Sequence, residues 1–263
     1  MSNDGLISII MPAYNSENTI DEAISSVINQ SYLNWELIVI NDCSKDGTEK
    51  KINNYISKYS EKKIIYIKNE INLGVSESRN LAIQSSKGEW IAFLDSDDKW
   101  ETTKLQKQID LSKNKKADFI FTGSKYINSE GKKFNGRLEV PNYVDYKVLK
   151  KHNIISCSSV LIKREIIINN KMEYDYLHED YLVWLKILQT GVIAFGINEP
   201  LLIYRIDQNS KSGNKFKSIK MTFNVFRKLD YNTFFSTFYT ISHLYRSIIK
   251  YKKIFSRKKR LVI

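Results

Sequence analysis

The stretch that most constrains the fold is EWIAFLDSDDKW, from Glu89 to Trp100. Its apolar run, 90–94, is typical of a strand buried on both faces in a parallel sheet. The run ends in Asp95-Ser96-Asp97-Asp98, and three ionised carboxylates are costly to bury without partners. Ligands of open α/β sheets bind beyond the carboxyl ends of the strands. The stretch therefore indicates either a divalent cation that holds a phosphate, or a solvated acidic turn before the next helix.

Strand-length apolar runs alternate with segments of helical period along the first part of the chain. This alternation is typical of βαβ units, and it predicts a mostly parallel sheet with helices on both faces. The predicted strands are 6–11, 36–40, 64–68, 90–94, 117–122, 156–163, 192–196 and 201–204, and the predicted helices are 18–30, 48–59, 76–85, 104–111 and 179–190. Residues 123–150 have weak periodicity, which predicts loops with a short helix.

The composition is that of a globular protein with a basic end. The net charge of the 263 residues is +12, but residues 211–263 hold fourteen Lys and Arg against one acid, and the preceding residues are nearly neutral. Cys43 and Cys157 offer neither a disulfide framework nor a zinc site, which favours a reducing cytoplasm. The first residues lack a basic segment and are typical of a strand, not of a signal peptide.

Polar motifs follow each of the first four predicted strands: Pro12-Ala13-Tyr14-Asn15, Asp42, Asn72-x-Gly74 and Asp95-x-Asp97. We expect them at one edge of the sheet. Tyr14 can stack on a base, and Asp42 can accept hydrogen bonds from a base or a ribose. Asp97 can bind a metal on a diphosphate, and Arg79 can neutralise phosphate charge. Singly, each has a structural explanation, such as loop packing for Tyr14 or a surface salt bridge for Arg79, but together they favour a nucleotide site.

With these motifs in this order, the chain closely resembles glycosyltransferase family 2, the inverting GT-A enzymes that use nucleotide sugars. The matching segments are SIIMPAYNSENTIDEAISSVINQSY, WELIVINDCSKDGT, NLGVSESRN and WIAFLDSDD. The resemblance covers about 6–210. It implies a GT-A, Rossmann-like α/β domain over 1–210, with a nucleotide-binding half to about 122 and an acceptor half over 123–210.

The resemblance also implies roles for individual residues. Nucleotide-sugar binding, often of a uridine nucleotide, is predicted for Pro12, Tyr14, Glu17, Asp42, Asn72, Arg79, Asp95 and Ser96. Asp97 is predicted to bind Mn²⁺ or Mg²⁺ on the diphosphate. In Leu177-His178-Glu179-Asp180-Tyr181, Asp180 matches the general base of the family, although helix capping would also explain an acid there.

Two departures from the family pattern concern the acceptor side. Leu182 stands where the family usually has an Asp. This difference leaves the contacts with the acceptor undetermined, but it does not affect the assignment of the base. In the family, the loop that corresponds to 204–210 often carries a His near position 207, where this chain has Asp207. Asp207 is either a metal ligand, a hydrogen-bond partner of the diphosphate or part of a polar surface turn.

The basic region 211–263 contains an apolar repeat at helical spacing, formed by Phe234, Phe238, Ile241, Tyr245 and Ile248. No stretch reaches the roughly 20 apolar residues that span a bilayer. The pattern favours a helical appendage lying on an anionic membrane, which gives a cytoplasmic, peripheral protein. Packing of these side chains onto the catalytic domain is the alternative, and binding to nucleic acid is disfavoured because the body has no nucleic-acid fold.

The leading hypothesis is a metal-dependent hexosyl- or N-acetylhexosaminyltransferase that uses a UDP-sugar to extend a glycan or lipid-linked acceptor of the bacterial surface, giving a β-glycoside. A sugar-nucleotide nucleotidyltransferase is the alternative enzyme, but no Gly-rich triphosphate loop lies near the N-terminus. A non-catalytic nucleotide-sugar or membrane-binding module is the third reading, and Asp95, Asp97 and Asp180 argue against it.

Overall fold

The computed structural model describes residues 5–207 and 215–255. The strands in these ranges are β1 (Ile7–Ala13), β2 (Trp35–Asn41), β3 (Ile64–Lys68), β4 (Trp90–Phe93), β5 (Lys99–Trp100), β6 (Phe119–Asn128), β7 (Lys133–Leu138), β8 (Tyr143–Val144), β9 (Leu161–Lys163) and β10 (Ala194–Ile206). The helices are α1 (Ile20–Ile28), α2 (Thr48–Lys58), α3 (Val75–Ser85), α4 (Lys104–Lys115), α5 (Tyr146–Leu149), α6 (Arg164–Ile167), α7 (Glu179–Gln189), α8 (Lys215–Lys228) and α9 (Thr233–Phe255).

All of these strands belong to one sheet, in the order β3-β2-β1-β4-β9-β6-β10-β5, with β7 beside β6 and β8 beside β10. β1 and β2 are buried along their whole length because helices cover both faces. Ile9 packs in a core with α1 and α4, whereas Ile10 packs in the opposite core with α3 and α7. The predicted α/β fold, a sheet flanked by helices, is confirmed.

The sheet is parallel from β3 to β4 and mixed beyond. β9 runs antiparallel to both β4 and β6, and β10 runs parallel to β6. The chain leaves β1 for β2 on one side, while β4 lies on the other side of β1, and such a switch point opens a crevice beyond the strand ends. The hydroxyl oxygens of Ser16 and Ser96 lie 2.7 Å apart there, so the segments that follow β1 and β4 meet at the crevice.

Three sequence-based expectations are wrong in the second half. Residues 123–150 are not mainly loops, because β6 continues to Asn128 and pairs with β7 around a turn in which Gly131 has a φ of 81°. The half-exposed β7 lacks a strong apolar pattern. The predicted strand 156–163 begins with a 3-10 turn, Cys157–Ser159. The two short strands 192–196 and 201–204 are parts of the single strand β10, with irregular pairing near Pro200.

Trp184 anchors helix α7 to the sheet. Its side chain is completely buried. Its ring lies edge-on to Phe93 of β4 and Phe119 of β6, with centroid separations of 5.7 and 5.1 Å. Aromatic pairs in this geometry add to the free energy gained from burial. The contact therefore sets the position of α7 relative to the end of β4.

Helix α9 has an apolar outer face, formed by Phe234, Phe238, Ile241, Tyr245 and Ile248. These five side chains are between 47% and 74% exposed. Packing onto the rest of the chain, the alternative raised from the sequence, therefore covers each of these side chains only in part. In the described ranges, no helix is both long enough and apolar enough to cross a membrane.

Replacement of Trp184 by alanine should lower the free energy of unfolding by about 3–5 kcal/mol, because it leaves a cavity between α7 and two strands. Chemical denaturation measures this loss. The matched control is Tyr143→Ala, since Tyr143 is 59% exposed and its loss should cost less than about 0.5 kcal/mol. Equal effects of the two substitutions would contradict the anchoring role of Trp184.

Candidate active site

A cavity of about 1770 Å³ opens beyond the carboxyl ends of β1 and β4. It exceeds the roughly 300–1,000 Å³ of a typical small-ligand pocket, so it has room for two substrates. The structure brings together every predicted site residue except Glu17. The cavity wall includes Pro12, Tyr14, Asp42, Asn72, Arg79, Asp95, Ser96, Asp97, Asp180 and Asp207.

Glu17 lies outside this cavity wall. Its carboxylate accepts a hydrogen bond from the Gly47 backbone N–H at 2.9 Å. Its backbone N–H donates to the Asp46 carboxylate at 3.0 Å. Glu17 therefore ties the loop after β1 to the loop after β2, and contact with a nucleoside stays a prediction for this residue.

Asp42 is buried, and its carboxylate organises the loop before α3. The two carboxylate oxygens accept hydrogen bonds from the backbone N–H groups of Leu73 and Gly74, each at 2.8 Å. Gly74 has a φ of 88°, and a Cβ there would clash with the Asp175 carboxylate. This geometry explains the glycine of the Asn-x-Gly motif, because glycine adopts positive φ without strain.

The loop after β1 presents Tyr14 at the rim of the cavity. Asn15 has a positive φ of 48°. Its backbone N–H donates to the Ser44 hydroxyl at 3.0 Å, and its side-chain oxygen accepts from the Lys45 backbone N–H at 2.8 Å. These bonds fix the loop and leave Tyr14 52% exposed. An exposed, fixed ring is suited to stacking on a planar ligand.

Arg79 connects the two halves of the site. The guanidinium is buried, and it donates to Asp95 at 2.6 Å and to Glu179 at 2.8 Å. Asp95 follows β4, whereas Glu179 begins α7. Arg79 is therefore not the surface salt bridge considered from the sequence, and it holds the end of β4 beside the start of α7.

Asp97 lies on the cavity wall among other acids. Burial, together with the charges of Asp95 and Asp207, raises its pKa to about 6. The next residue, Asp98, is buried and accepts a hydrogen bond from the Arg205 backbone N–H at 2.9 Å. The Arg205 guanidinium donates to the Asp97 carbonyl oxygen at 2.9 Å. Sequence reasoning gave Arg205 no role, and nothing in the local pattern identified it.

Glu179 and Asp180 have different environments at the amino end of α7. Glu179 is 6% exposed and is paired with Arg79. Asp180 is half-buried on the cavity wall, where its carboxylate accepts from the Tyr181 backbone N–H at 2.7 Å. Burial and then the nearby charges, including those of Asp95, Asp180 and Glu179, raise the pKa of the Cys157 thiol. All three carboxylates line the cavity, and Asp180, which is more accessible than Glu179, is the better candidate for a proton acceptor.

Helix α9 supplies a further part of the wall that sequence reasoning missed. His243, Ser247 and Lys250 line the cavity together with Tyr251. The spacing of four residues from His243 to Ser247 and of three from Ser247 to Lys250 indicates that these side chains share one face of a helix. It was missed because the region 211–263 was interpreted by its charge and its aromatic side chains.

Residues 8–169 match the family described as "Glycosyl transferase family 2". The chain is 35% identical over 252 residues to the UDP-Glc:alpha-D-GlcNAc-diphosphoundecaprenol beta-1,3-glucosyltransferase WfgD of Escherichia coli, which covers 95% of this chain and 96% of WfgD. Its fold is similar to that of S. aureus TarS 1-349 in complex with UDP-GlcNAc, with a TM-score of 0.71 and 19% identity over 97% of this chain and 76% of TarS 1-349.

A second structural neighbour is the mannosyltransferase PcManGT from Pyrobaculum calidifontis in complex with GDP-Man and Mn²⁺. The TM-score is 0.69, with 16% identity over 87% of this chain and 65% of that one. These two structures support the fold. The family match covers residues 8–169, and the similarity to WfgD covers 95% of this chain. The chain therefore belongs to glycosyltransferase family 2, and it is a nucleotide-sugar-dependent glycosyltransferase.

Proposed function

We propose that this enzyme transfers a sugar from a UDP-sugar to a hydroxyl of a lipid-linked glycan, with inversion, so that an α-linked donor gives a β-glycoside. The observation that carries the proposal is the buried Arg79 bridge between Asp95 and Glu179. It places Asp180 in the same cavity as Asp95 and Asp97. WfgD is named for a UDP-Glc donor and a diphosphoundecaprenol-linked acceptor, which supports both substrate classes.

In the proposed reaction, Asp180 accepts the proton of the acceptor hydroxyl as that oxygen attacks the anomeric carbon. The new carbon–oxygen bond forms as the bond from that carbon to the diphosphate oxygen breaks. The bonding electron pair leaves with the nucleoside diphosphate. A single in-line displacement inverts the anomeric centre.

The donor would bind against the strand ends. Pro12, the exposed ring of Tyr14, Asp42 and Asn72 line the cavity and would contact the nucleoside. Ser96, which directly precedes Asp97, and Arg79, which holds Asp95, would contact the diphosphate and sugar. A uridine nucleotide is favoured because TarS 1-349 was crystallised with UDP-GlcNAc and WfgD is named for UDP-Glc.

The carboxylate oxygens available in the cavity fit a hard divalent cation. Among residues 5–207 and 215–255, no three His, Cys, Asp or Glu side chains could by themselves hold a metal ion. A site of one or two carboxylates, Asp97 with Asp207, instead leaves room for diphosphate oxygens as the remaining ligands. Oxygen ligands of this kind favour Mg²⁺ or Mn²⁺, and PcManGT was crystallised with Mn²⁺. A bound cation would stabilise the negative charge that develops on the leaving diphosphate.

The outer face of α9 would place the enzyme on the surface of an anionic membrane, next to a lipid-linked acceptor. Large apolar side chains exposed in one stripe are costly in water. The region 211–263 around them carries all of the excess positive charge. Both properties suit a helix in the interface of an anionic bilayer.

The first prediction from this proposal concerns the donor and the metal. Among a panel of nucleotide sugars, a UDP-sugar should be turned over, and EDTA should abolish the reaction. Asp97→Ala should lower kcat/KM by about a hundredfold or more, because metal-assisted charge stabilisation provides several kcal/mol. The control is Asp110→Ala on the exposed side of α4. Full turnover in EDTA would contradict the metal role, and failure to bind any nucleotide sugar would contradict the function.

The second prediction concerns the base. Asp180→Asn should lower kcat by about 10²–10⁴-fold, as expected for loss of a general base, while UDP binding measured by calorimetry stays unchanged. Glu173→Gln is the control, because Glu173 is an exposed acid that precedes α7 in the sequence. An Asp180→Asn enzyme with the parent kcat would exclude Asp180 as the base.

The third prediction concerns the outer face of α9. The combined substitution of Phe238, Ile241 and Tyr245 by serine should weaken binding to phosphatidylglycerol vesicles by about tenfold or more, because apolar area no longer leaves water. Vesicle sedimentation measures this change. Leu33→Ser removes a 71% exposed apolar side chain elsewhere and should have no effect. Equal vesicle binding by the triple variant and the parent would contradict the proposed membrane surface.

A further inference from the structure

Helix α9 has a polar inner face in addition to its apolar outer face. The inner face is formed by Ser236, Thr240, His243, Ser247 and Lys250, which recur every three or four residues. Ser236 and Thr240 are buried, and the remaining three line the catalytic cavity. The part of α9 that lines the cavity therefore includes several polar side chains, beside apolar ones such as Leu244 and Ile248.

All three histidines of the chain meet at this inner face. His152 follows α5, His178 precedes α7 and His243 belongs to α9. The ring centroids of His152 and His243 are 5.7 Å apart. Burial, followed by the positive charges of His152, His178 and Lys250, lowers the pKa of His243 to about 3. Four basic groups from three parts of the fold therefore share one region.

Lys250 has no acidic partner in this region. Among the described residues, no carboxylate forms an ion pair with its ammonium group. Burial alone lowers its pKa to about 8. Lys250 is half-buried, and its ammonium group lies 5.9 Å from the centroid of the Tyr251 ring. An anionic ligand would supply the counter-charge that this group lacks.

An apolar groove leads away from the same region. The groove, of about 370 Å³, lies between α8 and α9. Phe216, Ile219 and Thr240 border both the groove and the catalytic cavity. The rest of its wall includes Phe223 and Ile241, and Ile241 belongs to the outer face of α9. A ligand with an anionic head and an apolar chain would match the cavity wall and the groove together.

We propose that Lys250, with His243 and His178 beside it, binds the phosphate group that joins the acceptor sugar to its lipid, and that the first part of the lipid chain lies in the groove between α8 and α9. The inference rests on the proposed function, because it assumes a lipid-linked acceptor. His178 directly precedes Glu179 and Asp180, so a phosphate held there would keep the attached sugar near the base. Lysine ammonium groups bind phosphate oxygens through short, charge-assisted hydrogen bonds.

The test uses the full-length protein with saturating UDP and Mn²⁺, so that the donor site is occupied, and titrates farnesyl diphosphate by calorimetry. Lys250→Met should raise the Kd of farnesyl diphosphate by about tenfold or more, since a charge-assisted hydrogen bond is lost. Lys250→Arg should restore binding, and the Kd of UDP should stay constant. Lys50→Met, at an exposed lysine of α2, is the control. If Lys250→Met does not fold, His243→Gln replaces it, with the same expected direction.

Four results would overturn the phosphate site. The first is equal binding of farnesyl diphosphate by Lys250→Met and the parent, and the second is equal binding of farnesol and farnesyl diphosphate. The third is weaker UDP binding by Lys250→Met, which would assign Lys250 to the donor. Competition by phosphatidylglycerol vesicles as strong as that by inorganic pyrophosphate would also overturn it, in favour of a phospholipid head group. A parent that turns over a UDP-sugar but does not bind farnesyl diphosphate contradicts only this inference, whereas a parent that binds no UDP contradicts the proposed function.

Discussion

The site depends on one buried guanidinium. Arg79 holds Asp95, from the end of β4, and Glu179, from the start of α7. Loss of Arg79 would leave the buried Glu179 carboxylate without its counter-charge, which costs about 3–5 kcal/mol. Because Asp97 and Asp180 each lie one or two residues from a partner of Arg79, the bridge sets the position of one relative to the other. The positions of two candidate functional groups in the cavity thus depend on one buried ion pair.

Burial divides the acids of the site into two groups. Asp42, Asp98 and Glu179 are nearly inaccessible to solvent and accept hydrogen bonds from the protein, so their carboxylates maintain loops and helix ends. Asp97 and Asp180 are half-buried on the cavity wall, so a ligand can reach them. Neighbouring carboxylates such as Asp97 and Asp98 therefore differ in their accessibility to ligand, although they are chemically identical in the sequence.

The sequence predicted the first four strands and the motifs that follow them, because a buried strand and its turn are local features. Prediction from the sequence failed where contacts between distant segments determine the structure. The strand β7 is half-exposed and is stabilised by pairing with β6, so residues 133–138 carry no strong apolar pattern. Arg205 acts through the carbonyl oxygen of Asp97, more than a hundred residues away. The cluster of His152, His178 and His243 forms only when α9 lies against the acceptor half, a contact that periodicity cannot reveal.

The two faces of α9 restrict how this helix can change during evolution. A helix turns by about 100° per residue, so the insertion or deletion of one residue within the 23 residues of α9 would rotate everything that follows. Upstream of His243, such a change would turn Lys250 out of the cavity and bring an apolar side chain into it. Substitutions that keep each position polar or apolar would be tolerated, whereas changes in length would not. The helix should therefore keep a constant length between Ser236 and Lys250 even where its residues differ.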